Sequence, residues 1–363
     1  MKITLKNTPE QVELVKAMAS RNRDVAYEAQ TALAEFIGPV LAEVVNNAPV
    51  ISNLFTTLQY NADDNPSIPL DLYFDIADQD YVQVYSQSRA GGLPTSEVLP
   101  TSSELKIATY TLDSAVSFDR RYAAKSRMDV VAKTMTRVAQ EILLKQNSIS
   151  ANVLMKALDS ASTTTTAGGS ETHVIKSNGN TFSLIDLNAM FTKSKRILTS
   201  FAGGTPDSGV AKGLTDILVS PEVVEGLRAI AYQPLVNSVP NADVIAEEAY
   251  SAAGAPSFYG INVIELAELG KGQKFQALFT GSSYDGTNTI DQANDDLVVG
   301  LDRTRESLIR PVAVDSENGA EFNLIADDQY SIRQNKIGYF GSIEEGRIVV
   351  DDRALIGCVV DVT

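Results

Sequence analysis

The stretch Ser126-Arg-Met-Asp-Val-Val-Ala-Lys-Thr-Met-Thr-Arg-Val-Ala-Gln-Glu-Ile-Leu-Leu-Lys-Gln-Asn-Ser-Ile-Ser-Ala-Asn-Val-Leu-Met-Lys-Ala-Leu158 is the most regular in the chain. Met128, Val131, Met135, Val138, Ile142, Ile149, Val153 and Leu158 recur at intervals near three and four, so the spacing predicts one long helix over 126–158 with an apolar face. The pattern is interrupted only around Lys145-Gln-Asn-Ser. At about 1.5 Å per residue the helix is roughly 45 Å long. Around it lie Arg120, Arg121, Lys125, Arg127, Lys133, Arg137, Lys145 and Lys156, against only Asp119, Asp129 and Glu141. Two readings of this basic excess are open: a solvated helix face paired with acidic surface elsewhere, or an electropositive surface turned toward a polyanion or an acidic partner.

Upstream of this helix the character changes twice. Thr8-Pro-Glu-Gln is a helix start, with a capping threonine and a proline suited to the first turn. From Val12 to about Asn47 the sequence reads as alanine-rich helix, with Leu33, Phe36, Ile37, Val40, Leu41 and Val44 at helical spacing. Such an arm needs a surface to lie on. Between 67 and 118 the pattern alternates instead: Ile68, Leu70, Leu72, Phe74 and Ile76, then Val82 and Val84, and later Leu105, Ile107, Thr109 and Thr111. These read as two long antiparallel strands flanking the polar segment Ser86-Gln-Ser-Arg-Ala-Gly-Gly-Leu-Pro-Thr-Ser-Glu-Val-Leu-Pro. An isolated two-stranded hairpin is marginal in water, so it either rests on a neighbour or folds back over its own domain.

Downstream, 184–199 reads as a second helix with Lys193, Lys195 and Arg196 at its C-terminal end, where the helix dipole favours cations. Asp216-Ile-Leu-Val-Ser reads as a short buried strand, and Ser220-Pro-Glu-Val-Val-Glu-Gly-Leu as a capped helix start. From 241 to 302 there are ten acidic residues and only Lys271 and Lys274 to offset them, a block that reads as a second, acidic α/β domain. The chain ends in long alternating strands, Tyr330-Ser-Ile-Arg-Gln-Asn-Lys-Ile-Gly-Tyr-Phe-Gly-Ser-Ile and Gly346-Arg-Ile-Val-Val-Asp-Asp-Arg-Ala-Leu-Ile-Gly-Cys-Val-Val.

Composition narrows the chemistry. The chain has 363 residues, 44% of them hydrophobic, and a formal net charge of −16. That charge argues against a protein whose whole surface grips nucleic acid. A single cysteine, Cys358, excludes an intramolecular disulfide and cysteine-rich zinc frameworks, and in its apolar run it reads as a small buried hydrophobe. The one histidine, His173, sits where a polar loop enters a strand and reads as a surface or strand residue rather than a general base. Gly270-Lys-Gly-Gln-Lys lacks the third glycine of a dinucleotide loop, and no phosphate-binding GxxxxGK[ST] occurs. Asp285-Gly-Thr-Asn-Thr-Ile-Asp-Gln-Ala-Asn-Asp-Asp is oxygen-rich but lacks the spacing and closing glutamate of a calcium loop, so it reads as a solvated acidic loop. Neither a cofactor nor a catalytic site is expected. No apolar run reaches the roughly 18 residues of a membrane span, and Met1-Lys-Ile-Thr-Leu-Lys-Asn-Thr-Pro-Glu is no signal peptide. The expectation is that the protein stays where it is made, or leaves inside something larger.

The order of parts, namely helical arm, long hairpin, basic spine helix, second helix, acidic α/β domain and returning strands, resembles that of the major capsid proteins of tailed bacteriophages. Their Hong Kong 97-type fold is shared with encapsulin nanocompartments. Ile217-Leu-Val-Ser-Pro-Glu-Val-Val-Glu-Gly-Leu-Arg-Ala looks like the strand-to-helix entry of that family's axial domain. Arg333-Gln-Asn-Lys-Ile-Gly-Tyr-Phe-Gly, with the strand ending in Ala354-Leu-Ile-Gly-Cys, looks like its peripheral-domain strands. The resemblance implies an α+β fold. It divides the chain into an N-terminal arm at 1–50, an extended loop at 67–118, a peripheral domain at 119–214 containing the spine helix 126–158, an axial domain at 215–310, and peripheral strands returning at 311–363.

The implied function is assembly of hexamers and pentamers into an icosahedral shell around packaged double-stranded DNA. The expected partners are further copies of the chain, with separate scaffolding, portal and decoration proteins, and no membrane. The location would be the virion capsid, assembled in the host cytoplasm. Arm and loop would cross neighbouring subunits, making Arg89, Leu93, Val98, Phe36 and Leu41 candidate contacts. Arg120, Arg121, Lys125, Arg127, Lys133 and Arg137 would form an inner-surface basic patch. The lysine that cross-links neighbouring subunits in some members has no counterpart, because 67–105 contains no lysine. The short lead before the arm implies a separate scaffold or prior removal of a scaffolding region. The alternatives are an encapsulin-like shell around a cargo enzyme, or a cytosolic α/β enzyme using carboxylates or a metal near 291–296.

Overall fold

In the computed structural model the helix expected over 12–47 is broken in two. Pro9 opens α1 (Pro9–Met18), capped by the Thr8 hydroxyl, which accepts the Gln11 N–H at 3.4 Å. Then Ser20 Oγ accepts the Asn22 N–H at 3.2 Å and Asn22 Oδ1 accepts the Asp24 N–H at 3.3 Å, before α2 (Arg23–Asn46) begins. Short polar side chains that bond nearby backbone end one helix and start the next, which apolar spacing does not register. The residues described are 8–46, 50–61, 64–69, 104–125, 128–161, 165–166, 169–170, 173–197, 213–232, 257–258, 260–279, 289–314, 321–327 and 334–361.

The chain continues through β1 (Thr56–Asn61), β2 (Ser67–Pro69), β3 (Glu104–Lys106), β4 (Thr109–Asp119), α3 (Arg120–Ala124) and α4 (Met128–Ala161). After two short strands, β5 (Thr165–Thr166) and β6 (Gly169–Ser170), come β7 (Val174–Lys176), α5 (Leu184–Ile197), β8 (Asp216–Val219) and α6 (Pro221–Tyr232). The remaining elements are β9 (Ser257–Phe258), β10 (Ile261–Glu265), β11 (Asp295–Leu301), β12 (Leu308–Val314), β13 (Asn323–Asp327), β14 (Lys336–Gly346), β15 (Ile348–Val349) and β16 (Leu355–Asp361). They divide between two units: Met1–Ser67, Lys106–Ser150 and Ile309–Ile348 in one, and Ile68–Leu105, Ala151–Leu308 and Val349–Thr363 in the other.

In the first unit β14 organises the sheet. It pairs antiparallel with β4 over its whole length, with β13 on its other side, and with β12 near its end at Val312↔Glu345; β1 adds parallel to β12. Period-two alternation sends Ile337, Tyr339 and Ile343 of β14, with Leu112 and Phe118 of β4, to one face. There they meet Met18 of α1, Leu33, Ile37 and Leu41 of α2, and Val131, Met135, Val138 and Ile142 of α4. The Phe118 and Tyr339 rings stack with centroids 6.4 Å apart. Gly341 is needed for this packing, since a Cβ there would lie 2.5 Å from the Phe322 ring. The sequence predicts a hairpin over 67–118. Of that expected hairpin, residues 70–103 lie outside the described residues; among the described ones β2 pairs with β3, and Thr109–Asp119 belongs to the β14 sheet because its alternating face has a core to cover.

The second unit holds a sheet of order β7-β16-β11-β8-β10-β9. β8 and β10 are parallel, joined through a connection containing α6, and Leu187, Met190, Val223, Val224 and Leu227 of the two helices α5 and α6 share one core with Ile217, Val219 and Val263. Of the span 311–363, β12 to β15 lie in the first unit up to Ile348, and β16 lies in the second. β16 pairs with β11 from Asp295↔Asp361 to Leu301↔Leu355, and with β7 on its other side. Its run Leu355-Ile-Gly-Cys-Val-Val is buried at every position, which suits a central strand rather than one with a wet face.

Candidate assembly surfaces

Helix α4 runs through Lys145-Gln-Asn-Ser without a break, although the apolar pattern lapses there. The two polar residues at the lapse are buried with partners: Gln146 Nε2 donates to Glu345 Oε2 at 3.0 Å, and Asn147 Oδ1 accepts the Ile51 N–H at 3.1 Å. A buried polar residue with a satisfied partner holds a helix against a core as an apolar one does, yet reads as an interruption in sequence.

That site is part of a buried charge cluster within the first unit. Glu345 receives Arg310 Nε at 2.8 Å, the Tyr110 hydroxyl at 3.2 Å, Gln146, and the Arg347 guanidinium, whose Nη2 also donates to Ser52 Oγ at 2.7 Å. Burial pushes the Tyr110 phenol up to about 12, with Arg347 pulling the other way. One carboxylate thus ties β4, α4, β12 and the chain just after β14 to the turn Ile51–Leu54. Sequence reading did not single out these residues; the only signal was a pair of glutamates in an otherwise apolar alternating strand.

Lys133 and Arg137 are exposed, one helical turn apart on α4. Leu144, 61% exposed, and Lys145 extend this surface. Lys125 is exposed; Arg121 is exposed and pairs with Asp119 at 3.6 Å; Arg120 instead turns back, its Nε donating to the Ala19 carbonyl at 3.2 Å. Arg127 lies outside the described residues, as do the loop candidates Arg89, Leu93 and Val98. Of the two arm candidates, Phe36 is 58% exposed on α2, beside exposed Val40. Leu41 is corrected: at 1% exposure it packs in the chain's own core, because it lies on the buried stripe with Leu33 and Ile37. A surface that sequence reading missed is the face of the first sheet turned away from its helices. Ile325 (47% exposed), Phe340 (36%) and exposed Ala115 are register neighbours across β13, β14 and β4.

In the second unit the residues weighed for chemistry serve packing and turns. His173 is buried, with Nδ1 3.1 Å from the Leu355 carbonyl oxygen, so that ring nitrogen carries the proton and donates. Burial pushes the Cys358 thiol up to about 12, with Asp186 adding to the shift. Asp291 Oδ1 accepts the Ala293 N–H at 2.9 Å, and Asp295 Oδ2 accepts the Asp291 N–H at 2.7 Å, so this acidic segment caps its own turn into β11. Among the described residues no three histidine, cysteine or acidic side chains gather as metal ligands. Asp296 accepts the Ser220 hydroxyl, and Ser220 Oγ in turn accepts the Val223 N–H at 3.2 Å, capping α6. Burial raises the Asp296 carboxyl, the Ser220 hydrogen bond opposes this, and nearby Glu222 adds to it.

No family model matches the chain, and no curated protein sequence matches it. Among solved structures, the capsid of the cyanophage P-SCSP1u matches with a TM-score of 0.50 at 13% identity, over 84% of this chain and 86% of that one. The capsid of the native GTA particle matches with a TM-score of 0.48 at 10% identity, over 86% and 90% of the two chains. The SrpI encapsulin complex of Synechococcus elongatus PCC 7942 matches with 0.41 at 11% identity, over 72% and 78%. The likeness to the cyanophage capsid covers more than four fifths of both chains. The chain therefore has the Hong Kong 97-type fold.

Proposed function

We propose that the chain is a major capsid protein, a structural rather than catalytic subunit whose copies form hexamers and pentamers of an icosahedral shell enclosing double-stranded DNA. The observation that carries this reading is the likeness to the cyanophage capsid over 84% of the chain. In this reading α4 is the spine, 215–310 supplies most of the axial domain, and the arm with exposed Phe36 and the loop with Arg89, Leu93 and Val98 reach neighbouring subunits. Lys133 and Arg137, with Arg121 and Lys125, face the cargo; a limited basic patch on a subunit of net charge −16 lets DNA slide rather than stick. Scaffolding, portal and decoration proteins are the further partners, and the virion capsid assembled in the host cytoplasm is the location.

Electron microscopy and sedimentation of the purified protein test this. Closed shells or capsomers of megadalton scale are expected, and a persistent small globular species refutes the reading. Particles whose content is protein rather than nucleic acid would transfer the reading to a cargo-holding compartment.

A further inference from the structure

Strand β4 is 11 residues long and hydrogen-bonds to β14 along one edge; among the described residues no strand pairs with its other edge. Soluble proteins ordinarily blunt such edges by shortness, proline, an outward lysine or a bulge. The terminal strands β1 and β13 of the same sheet are short, at 6 and 5 residues. By contrast β4, Thr-Tyr-Thr-Leu-Asp-Ser-Ala-Val-Ser-Phe-Asp, has no proline and no lysine and matches β14 residue for residue without a bulge; its one exposed mid-strand charge is Asp113, whose placement constrains any partner. Ser114 and Val116 are only half-buried, as expected where a covered layer stops at an unpaired edge.

We propose that this edge docks against the same edge of a second copy, the two β4 strands pairing antiparallel about a two-fold axis at Ala115. The sequence of β4 is self-complementary in that register. Asp113 falls opposite Ser117 of the partner subunit, and Thr111 opposite Asp119 of the partner subunit. On the helix-covered face Leu112 meets Phe118 of the partner subunit, a favourable aromatic–aliphatic cross-strand pair. The smallest side chain sits on the axis, where two identical residues meet. Centring the axis on Asp113 opposes that carboxylate to its own copy, and centring it on Val116 sets Asp113 against Asp119 of the partner subunit. Centring on Ser114 avoids both clashes but places Asp113 of the partner subunit at the end of the exposed apolar row. Only the Ala115 register continues the row Ile325, Phe340, Ala115 directly into its own copy, so that two apolar patches become one. The contact is isologous and closes after two copies. It does not depend on those copies also forming a shell.

Cross-linking tests the register. Antiparallel partners across such an axis have Cα atoms about 4.5–5.5 Å apart, within the range a disulfide spans. Under mild oxidation Ala115→Cys is expected to give a covalent dimer on a non-reducing gel, several-fold more than Ser114→Cys, while the wild-type chain with its buried Cys358 gives none. Absence of the Ala115→Cys dimer, or an equal yield from Ser114→Cys, overturns the proposal. A second variant, Ala115→Lys, sets two ammonium groups against each other on an exposed position and protects the edge. With an unchanged circular dichroism spectrum it is expected to lose the two-fold-linked species in sedimentation. Wild-type sedimentation of that variant refutes the docking, whatever electron microscopy says about shells.

Discussion

Glu345→Gln is nearly isosteric, yet it removes the carboxylate on which the buried cluster of the first unit converges. The wild-type group accepts from Arg310, Tyr110, Gln146 and two nitrogens of Arg347, and both ion-pair partners are almost wholly buried, with side-chain exposures of 2% and 0%. An amide has one accepting oxygen, and its NH2 would face donors, so the buried Arg347 guanidinium loses its carboxylate partner in a dry site and the Arg310 Nε–Glu345 pair is broken as well. Breaking a buried pair by removing one partner costs about 3–5 kcal/mol. Taking about 4 kcal/mol, the population of the opened first unit rises roughly a thousandfold. The two units need not unfold together, so a single melting temperature is the wrong readout. Hydrogen exchange of the Lys336–Gly346 and Thr109–Asp119 amides reads the first unit directly and is expected to accelerate by about that factor. Amides of β16, in the second unit, serve as the internal control. A change below about 1 kcal/mol, within the range of exposed pairs, would refute the claim that this cluster holds the sheet to α4.

Three further outcomes follow from particular contacts. Gly341→Ala drives a methyl group into Phe322 and is expected to cost about 1–3 kcal/mol, with partial rescue by Phe322→Leu; an unchanged melting profile counts against the packing. For Asp296, burial raises the folded carboxyl above the ordinary value of 3.8, so the folded state holds this proton more tightly than the unfolded chain. Its stabilising effect is present at low pH and lost as pH rises through the folded value. Asp296→Asn keeps an acceptor for Ser220 and is therefore expected to gain thermal stability over wild type at neutral pH but little at acid pH; a pH-independent difference would sink this account. Double charge reversal, Lys133→Glu with Arg137→Glu, is expected to lower the yield of filled particles, and wild-type yields measured by gradient sedimentation would remove these residues from the proposed cargo surface.

The long α4 and the helix–strand–helix succession were legible because apolar spacing reports one face of one element at a time. Where it failed, a local hydrogen bond or a distant partner decided the outcome. The break between α1 and α2 rests on Ser20 and Asn22 bonding nearby backbone. The continuity of α4 through Gln146 rests on Glu345, and the sequence separation of 199 residues hides that pairing from any window. Leu41 was misplaced because helical spacing cannot say which of two adjacent stripes, Phe36–Val40 or Ile37–Leu41, faces the core. The sheet that β16 joins was not legible, because an apolar run fits any central strand, and choosing among sheets requires knowing which has a vacant position. Of the candidate surface residues, the basic ones were legible by composition, whereas the apolar row on the open sheet face depends on cross-strand register.

The strand order of the first sheet also sets a clock on biosynthesis. Tyr110 on β4 and Glu345 on β14 are 235 residues apart in the chain. At the usual pace of synthesis β4 waits roughly 10 to 50 s for its partner strand to be made. During that interval the edge that β14 will take has no β14 to pair with, and the Tyr110 side of the charge cluster lacks Glu345. Nascent copies made side by side on one message therefore have time to find each other through β4 before they can find their own β14, so slower translation would favour mispaired chains over correctly closed ones.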